Sequence, residues 1–210
     1  MSALDPTTKA LVGLAAAIVQ PNAIRLAVAI DQVMHQGVNQ LAVDELMLQS
    51  VLTAGWPRAL LAMMAWREAS GTAAPASDLD ADYARHAEWT ARGATGCALI
   101  YGPTYARLRS NVRALHPALE SWVITEGYGR TLARPGLDVA VRELCTIAQT
   151  AVLQTLQQLH SHLLGALRAG ATADQVTATL DLARGYLPSD EWPAIADLSA
   201  RVLQRWEPGR

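Results

Sequence analysis

Short amphipathic segments divided by helix-stopping residues run the length of the chain. Asp5-Pro6 supplies an N-cap and a first-turn proline, and the apolar run that follows stops at Gln20-Pro21-Asn22. Pro21 is expected to open a second helix that ends at Gly37. Asn39 then caps a third that ends at Gly55, and Pro57 opens a fourth that ends near Gly71. Leu46, Leu48, Val51 and Leu52 mark the apolar side of the third, and Leu60, Leu61, Met64 and Trp66 that of the fourth. Residues 70–82 are small, polar and acidic, the composition of a linker or exposed loop. Beyond them the pattern predicts a helix over residues 83–101, weakened by Gly93 and Gly96, and helices starting at Pro103 and Pro117. Residues 128–137 read as a turn, because Pro135-Gly136 interrupts any helix there. Asp138 stands where an N-cap belongs, and helices are predicted over residues 138–153, 155–169 (with Gly170 as the stop), 172–186 and 189–206.

The two ends of the chain echo one another. A shift of 133 positions lays Leu11 on Leu144, Ala15 on Ala148, Val19 on Val152, Leu26 on Leu159 and Gly37 on Gly170. In both copies the order is helix, turn, helix, Gly stop, capped helix. The organisation expected is therefore a helical unit over residues 1–70, a linker and helical middle over 71–127, and a second helical unit over 128–210. The fold class expected is all-α. Ala and Leu dominate the apolar half of the composition, Phe is absent and β-branched runs are scarce.

Charge narrows the partners. The formal net charge is −2, and the basic residues are scattered, so nothing draws the chain to phosphate backbones or anionic lipid. Neither nucleic acid nor membrane is expected as a partner. With only Cys97 and Cys145 there is no CxxC and no disulfide framework, a pattern that suits a reducing cytoplasm. The apolar run over residues 10–19 is too short to span a bilayer.

One polar cluster stands out on the second unit. It comprises Arg142 and Glu143 on one helix, with Gln158, His160, Ser161 and His162 on the next. At about 100° per residue, Leu156, Leu159, Leu163 and Leu167 form one stripe, with His160 near its margin and expected to pack in the core. His162 points elsewhere, among small residues that let another helix approach closely. Glu143 sits at the edge of the stripe made by Ala140, Leu144, Ile147 and Ala151, so two antiparallel helices can bring Glu143 and His162 together. A carboxylate beside an imidazole orients the ring and fixes its tautomer, leaving the other nitrogen to act as acid or base. The same pair can equally be a buried cross-link between helices. No metal site is expected: the rings of His160 and His162 lie about 200° apart on a helix and cannot share one ion. Nor does the chain contain an HExxH, GxSxG, P-loop or GxGxxG motif.

Residues 127–170, GYGRTLARPGLDVAVRELCTIAQTAVLQTLQQLHSHLLGALRAG, followed by Ala171-Thr172-Ala173-Asp174-Gln175-Val176, resemble the carboxymuconolactone decarboxylase family. The cues are the YGR and RPGL turn, an REL opening a helix, and a His eight residues before a Gly that precedes a capped helix. Residues 46–68 resemble the third and fourth helices of another copy. The resemblance implies an all-α fold of the alkylhydroperoxidase D type, in which helical repeats pair within or between chains and assemble as homo-oligomers, trimers or hexamers. The redox branch of that family carries Glu, a CxxC and a downstream His. By position Glu143 and His162 match the Glu and the His, while Thr155 and Gln158 stand where the two cysteines would be. In the first copy the pair is replaced by Ala10 and Ala29.

Three functions follow as expectations. The first is a cofactor-free proton-transfer enzyme of decarboxylase or isomerase type acting on a small organic acid or lactone. In it Glu143 orients His162, and Arg142 or Arg134 holds a substrate carboxylate. The second is a non-catalytic oligomeric binding or scaffold protein on the same fold. The third is a peroxiredoxin-type antioxidant using Cys97 and Cys145, which the missing CxxC disfavours.

Overall fold

Caps written into the sequence set the helix ends. In the computed structural model, which describes residues 3–207, the α-helices are α1 (Pro6–Ile18), α2 (Ala23–His35), α3 (Gln40–Gln49), α4 (Val51–Ser70), α5 (His86–Tyr101), α6 (Tyr105–Leu115) and α7 (Pro117–Trp122). A π-helical segment, Val123–Leu132, then leads to α8 (Val139–Val152), α9 (Leu156–Arg168), α10 (Ala173–Arg184) and α11 (Trp192–Arg205). No strand occurs among the described residues. Asp5 accepts from the Thr8 amide, and Asn39 from that of Leu41. Asp138 accepts from Ala140 and Val141, and Thr172 and Gln175 form a reciprocal capping box at α10. Four boundaries differ from the sequence reading, the first being that α3 ends at Gln49 and α4 opens at Val51 with a kink at Gly55, where the pattern predicts a stop at Gly55 and a start at Pro57. Asn22, not Pro21, caps α2, its side chain accepting from Arg25. Residues 128–132 are helical, so the turn is confined to the few residues before α8. The last helix opens at Trp192-Pro193 and not at Ser189.

The chain divides into two compact units, one made of residues 1–72 and 136–210, the other of residues 73–135. In the first, α1 and α8 pack together at the centre. Residues 10–12 and 14–18 of α1 are buried, and so is every residue of α8 from Arg142 to Ala151. A helix buried all round must be apolar or internally satisfied, which explains both the alanine-rich α1 and the hydrogen-bonded polar residues of α8. The flanking helices follow the 133-residue shift down to single hydrogen bonds. After α2, Gly37 (φ 60°) donates to the Met34 carbonyl and Val38 to that of Val33. After α9, Gly170 (φ 101°) donates to Leu167 and Ala171 to Ala166. Both are Schellman stops, which need the left-handed backbone that glycine adopts at no steric cost. The fourth helices also correspond. Trp56-Pro57 begins the long arm of α4 after a kink at Gly55, and Trp192-Pro193 begins α11.

The second unit is held by glycine contact and by buried charge. α5 and the π-helical segment pack backbone to backbone: a Cβ on Gly93 would stand 1.9 Å from the Ile124 carbonyl oxygen, and one on Gly129 1.9 Å from that of Trp89. Gly93, expected only to weaken a helix, is thus the contact itself. Buried Asp80 accepts from the Trp89 indole at 2.7 Å and pairs with Arg92 (2.8 Å) and Arg134 (2.9 Å). No helix among the described residues is long and apolar enough to cross a membrane.

Candidate active site

The antiparallel pair α8 and α9 brings the two predicted residues together. His162 Nδ1 lies 2.8 Å from Glu143 Oε2. The Glu143 side chain is 2% exposed and that of His162 14%, so the carboxylate is buried while the ring reaches the surface. An ionised Glu143 accepts only, which makes Nδ1 the protonated nitrogen and leaves a lone pair on Nε2. Nε2 makes no hydrogen bond to the described residues. Thr155 and Gln158, at the positions of the family's cysteines, are exposed on the first turn of α9 and carry no thiol.

Arg142 does not reach a substrate position. Its guanidinium is fully buried: Nη2 donates to Glu45 Oε2 at 2.7 Å, Nη1 to Gln49 Oε1 at 3.1 Å and Nε to the Leu137 carbonyl at 3.2 Å. Gln49 in turn donates to the Arg142 carbonyl (3.1 Å) and to Thr146 Oγ1 (3.4 Å). One turn along, Gln149 donates to Ser50 Oγ at 2.7 Å and accepts from Thr53 Oγ1 at 2.8 Å. With a counter-charge and two further acceptors already in place, the role predicted for Arg142 as a carboxylate clamp gives way to that of an internal cross-link from α8 to α3. Sequence reading missed Glu45 and Gln49. Their signal was a pair of polar residues one turn apart on α3, surrounded by Val43, Leu46 and Met47, which are buried.

Arg134, the other predicted clamp, belongs to the second unit. There it pairs with Asp78 at 2.6 Å and with Asp80 at 2.9 Å, and it holds the Asp78 carboxyl below its ordinary value. Its donors therefore tie down its own turn. His160, expected in the core, is exposed. His116 caps α7, its Nδ1 accepting from the Ala118 amide at 3.0 Å. Cys145 is fully buried, and burial pushes its thiol up to about 12, so the reactive thiolate is scarce near neutral pH. Cys97 is also buried. Among the described residues no group of three or more His, Cys, Asp or Glu is arranged to hold a metal ion.

Comparison with known proteins agrees with this arrangement of two helical copies. The family model described as "Carboxymuconolactone decarboxylase family" matches residues 1–68 and 118–200. No curated protein matches the chain.

Proposed function

The chain belongs to the carboxymuconolactone decarboxylase family, and from that premise we propose that its second copy is a cofactor-free proton-transfer centre acting on a small organic acid or lactone. The observation that carries this reading is the 2.8 Å bond from His162 Nδ1 to buried Glu143, on a ring that is itself partly exposed. Glu143 is the positioning residue: it holds the ring in one orientation and one tautomer without touching substrate. His162 Nε2 is the acid/base. In a decarboxylation of a lactone acid, the bond from carbon to the carboxylate breaks and its electron pair is drawn into the adjacent unsaturated system as CO2 leaves. Nε2, having taken up a proton from solvent, delivers it to the carbon, which restores its lone pair. The chemistry needs no thiol, which agrees with Thr155 and Gln158 at the cysteine positions and with a buried, protonated Cys145.

Turnover of a panel of five- and six-membered lactone acids, followed by CO2 release, tests this. His162→Ala is expected to lower kcat about 10²–10⁴-fold with KM little changed, the range for loss of one acid/base group. Glu143→Gln is expected to lower kcat less and to alter the ¹⁵N shifts of the His162 ring, reporting a relaxed tautomer preference. Turnover equal to wild type in His162→Ala removes the proposal. For the assembly we propose a homo-oligomer formed through α4. Trp56, Leu60, Leu61 and Met64 on that helix are exposed, and such a stripe can meet its own copy across a symmetry axis.

A further inference from the structure

The first copy has lost its Glu–His pair, and the space that the pair would fill lies open. A cleft of about 440 Å³ is floored by Ala10 on α1 and Ala29 on α2, the positions that correspond to Glu143 and His162 under the 133-residue shift. Gly13, corresponding to Thr146, also lines it, next to Leu182, which corresponds to Gln49. The local geometry is conserved between the copies. Leu182 Cδ2 would lie 3.8 Å from a Cβ on Gly13, just as Gln49 meets Thr146 in the second copy. At these four positions the exchange runs from a larger or polar side chain to a smaller or apolar one, which leaves an apolar hollow of the size that holds small ligands.

The charge at this hollow has changed as well. Where the second copy has Arg142, neutralised by Glu45, the first has Lys9, the only lysine in the chain. The position corresponding to Glu45 is Ala178, so the counter-charge has gone. Lys9 is exposed at the edge of the cleft, and its ammonium makes no hydrogen bond or ion pair with the described residues. Gln32 and Gln36 add amide donors on the same rim. The lining also includes Tyr186, held in place by the Arg25 guanidinium 5.2 Å from its ring centroid, by Arg25 Nη1 donating to the Gly185 carbonyl at 2.9 Å, and by Gln20 donating to the Tyr186 carbonyl. A lining that combines one cation and two amides with apolar and aromatic surface suits a single carboxylate carried on a hydrocarbon or aromatic body.

We propose that this cleft is a second, non-catalytic binding site for small apolar monocarboxylic acids, with Lys9 holding the carboxylate and the Ala10–Ala29 floor receiving the apolar body. It is separate from the Glu143–His162 site and does not depend on catalysis there.

Isothermal titration of the full chain with benzoate, and with benzamide as its neutral counterpart, tests the proposal. Wild type is expected to bind one benzoate per chain at this cleft, and benzamide at least tenfold more weakly. Lys9→Met, an exposed substitution that leaves the core intact, is expected to weaken benzoate at least tenfold and benzamide little. Ala10→Glu with Ala29→His rebuilds the pair inside the hollow and is expected to abolish binding of both, and Ala29→Leu does the same by bulk alone. His162→Ala is expected to bind benzoate as wild type does, which separates this site from the proposed catalytic one. Absence of benzoate binding by wild type overturns the proposal. So does binding that survives both Lys9→Met and Ala29→Leu, or binding that is lost in His162→Ala.

Discussion

Glu45→Gln separates a structural Arg142 from a substrate-binding one. The substitution keeps the shape of the side chain and removes the charge facing a guanidinium that is only 1% exposed. Breaking one partner of a buried ion pair costs about 3–5 kcal/mol, because the other charge stays buried without compensation. Here the Gln49 and Leu137 oxygens still accept two of the Arg142 donors, so the lower end applies, about 3 kcal/mol. At 2–4 °C per kcal/mol for a chain of this length, the melting temperature falls by roughly 6–12 °C. Arg142→Met removes the cation that faces Glu45 Oε2 and is expected to cost a similar amount. In the double variant Glu45→Gln/Arg142→Met neither charge remains, so its loss is expected to fall short of the sum of the single losses by about 2–3 kcal/mol. Urea unfolding of the four proteins gives the cycle directly. Single variants within about 0.5 kcal/mol of wild type, with an additive double, would refute the cross-link and return Arg142 to the substrate.

Three further outcomes follow from particular contacts. Gly93→Ala gains helix propensity of about 1 kcal/mol but drives a methyl into the Ile124 carbonyl, so unfolding of residues 73–135 is expected at lower urea than in wild type; an unchanged or higher midpoint contradicts the close approach. Arg134 holds the Asp78 carboxyl below its ordinary value of 3.8. A lowered native value adds stability that is complete above the unfolded value and is lost as pH falls through the native one, so residues 73–135 are expected to lose amide protection below about pH 4. In Arg134→Ala that acid dependence is expected to shrink, and hydrogen exchange between pH 5 and pH 3 reads it. Light scattering at micromolar concentration is expected to give a multiple of 22.5 kDa, reduced towards the monomer by Leu60→Glu with Met64→Glu; a monomeric wild type contradicts the α4 interface.

What the sequence made legible was local. Asp5, Asn39, Asp138 and Thr172 cap helices through bonds to amides two or three residues away, and such bonds are readable from spacing. The Glu143–His162 contact was legible because helix phase and one short turn determine which edges face. The Arg142–Glu45 pair was not, since 97 residues separate its members and nothing near Arg142 announces a carboxylate. Residues 123–132 were obscured by Gly127, Gly129 and a nearby proline, all helix-breaking by propensity. Their wide turns persist because Gly129 lets that backbone lie against α5. The Gly-Trp-Pro of the first copy has its counterpart in Glu191-Trp192-Pro193, displaced by three further residues and therefore outside a uniform shift. The Lys9 cleft was invisible in sequence: alanines at two positions read as packing, and only the fold shows that the space was not refilled.

Deuterium uptake from solvent at the carbon that loses CO2, followed during incubation with a lactone acid by NMR or mass spectrometry, tests the central claim most directly. Wild type is expected to take up deuterium at that position with a rate that falls at least a hundredfold in His162→Ala, while the circular dichroism of the two proteins coincides. Equal uptake in wild type and His162→Ala, or none in wild type across a panel of such acids, would contradict it.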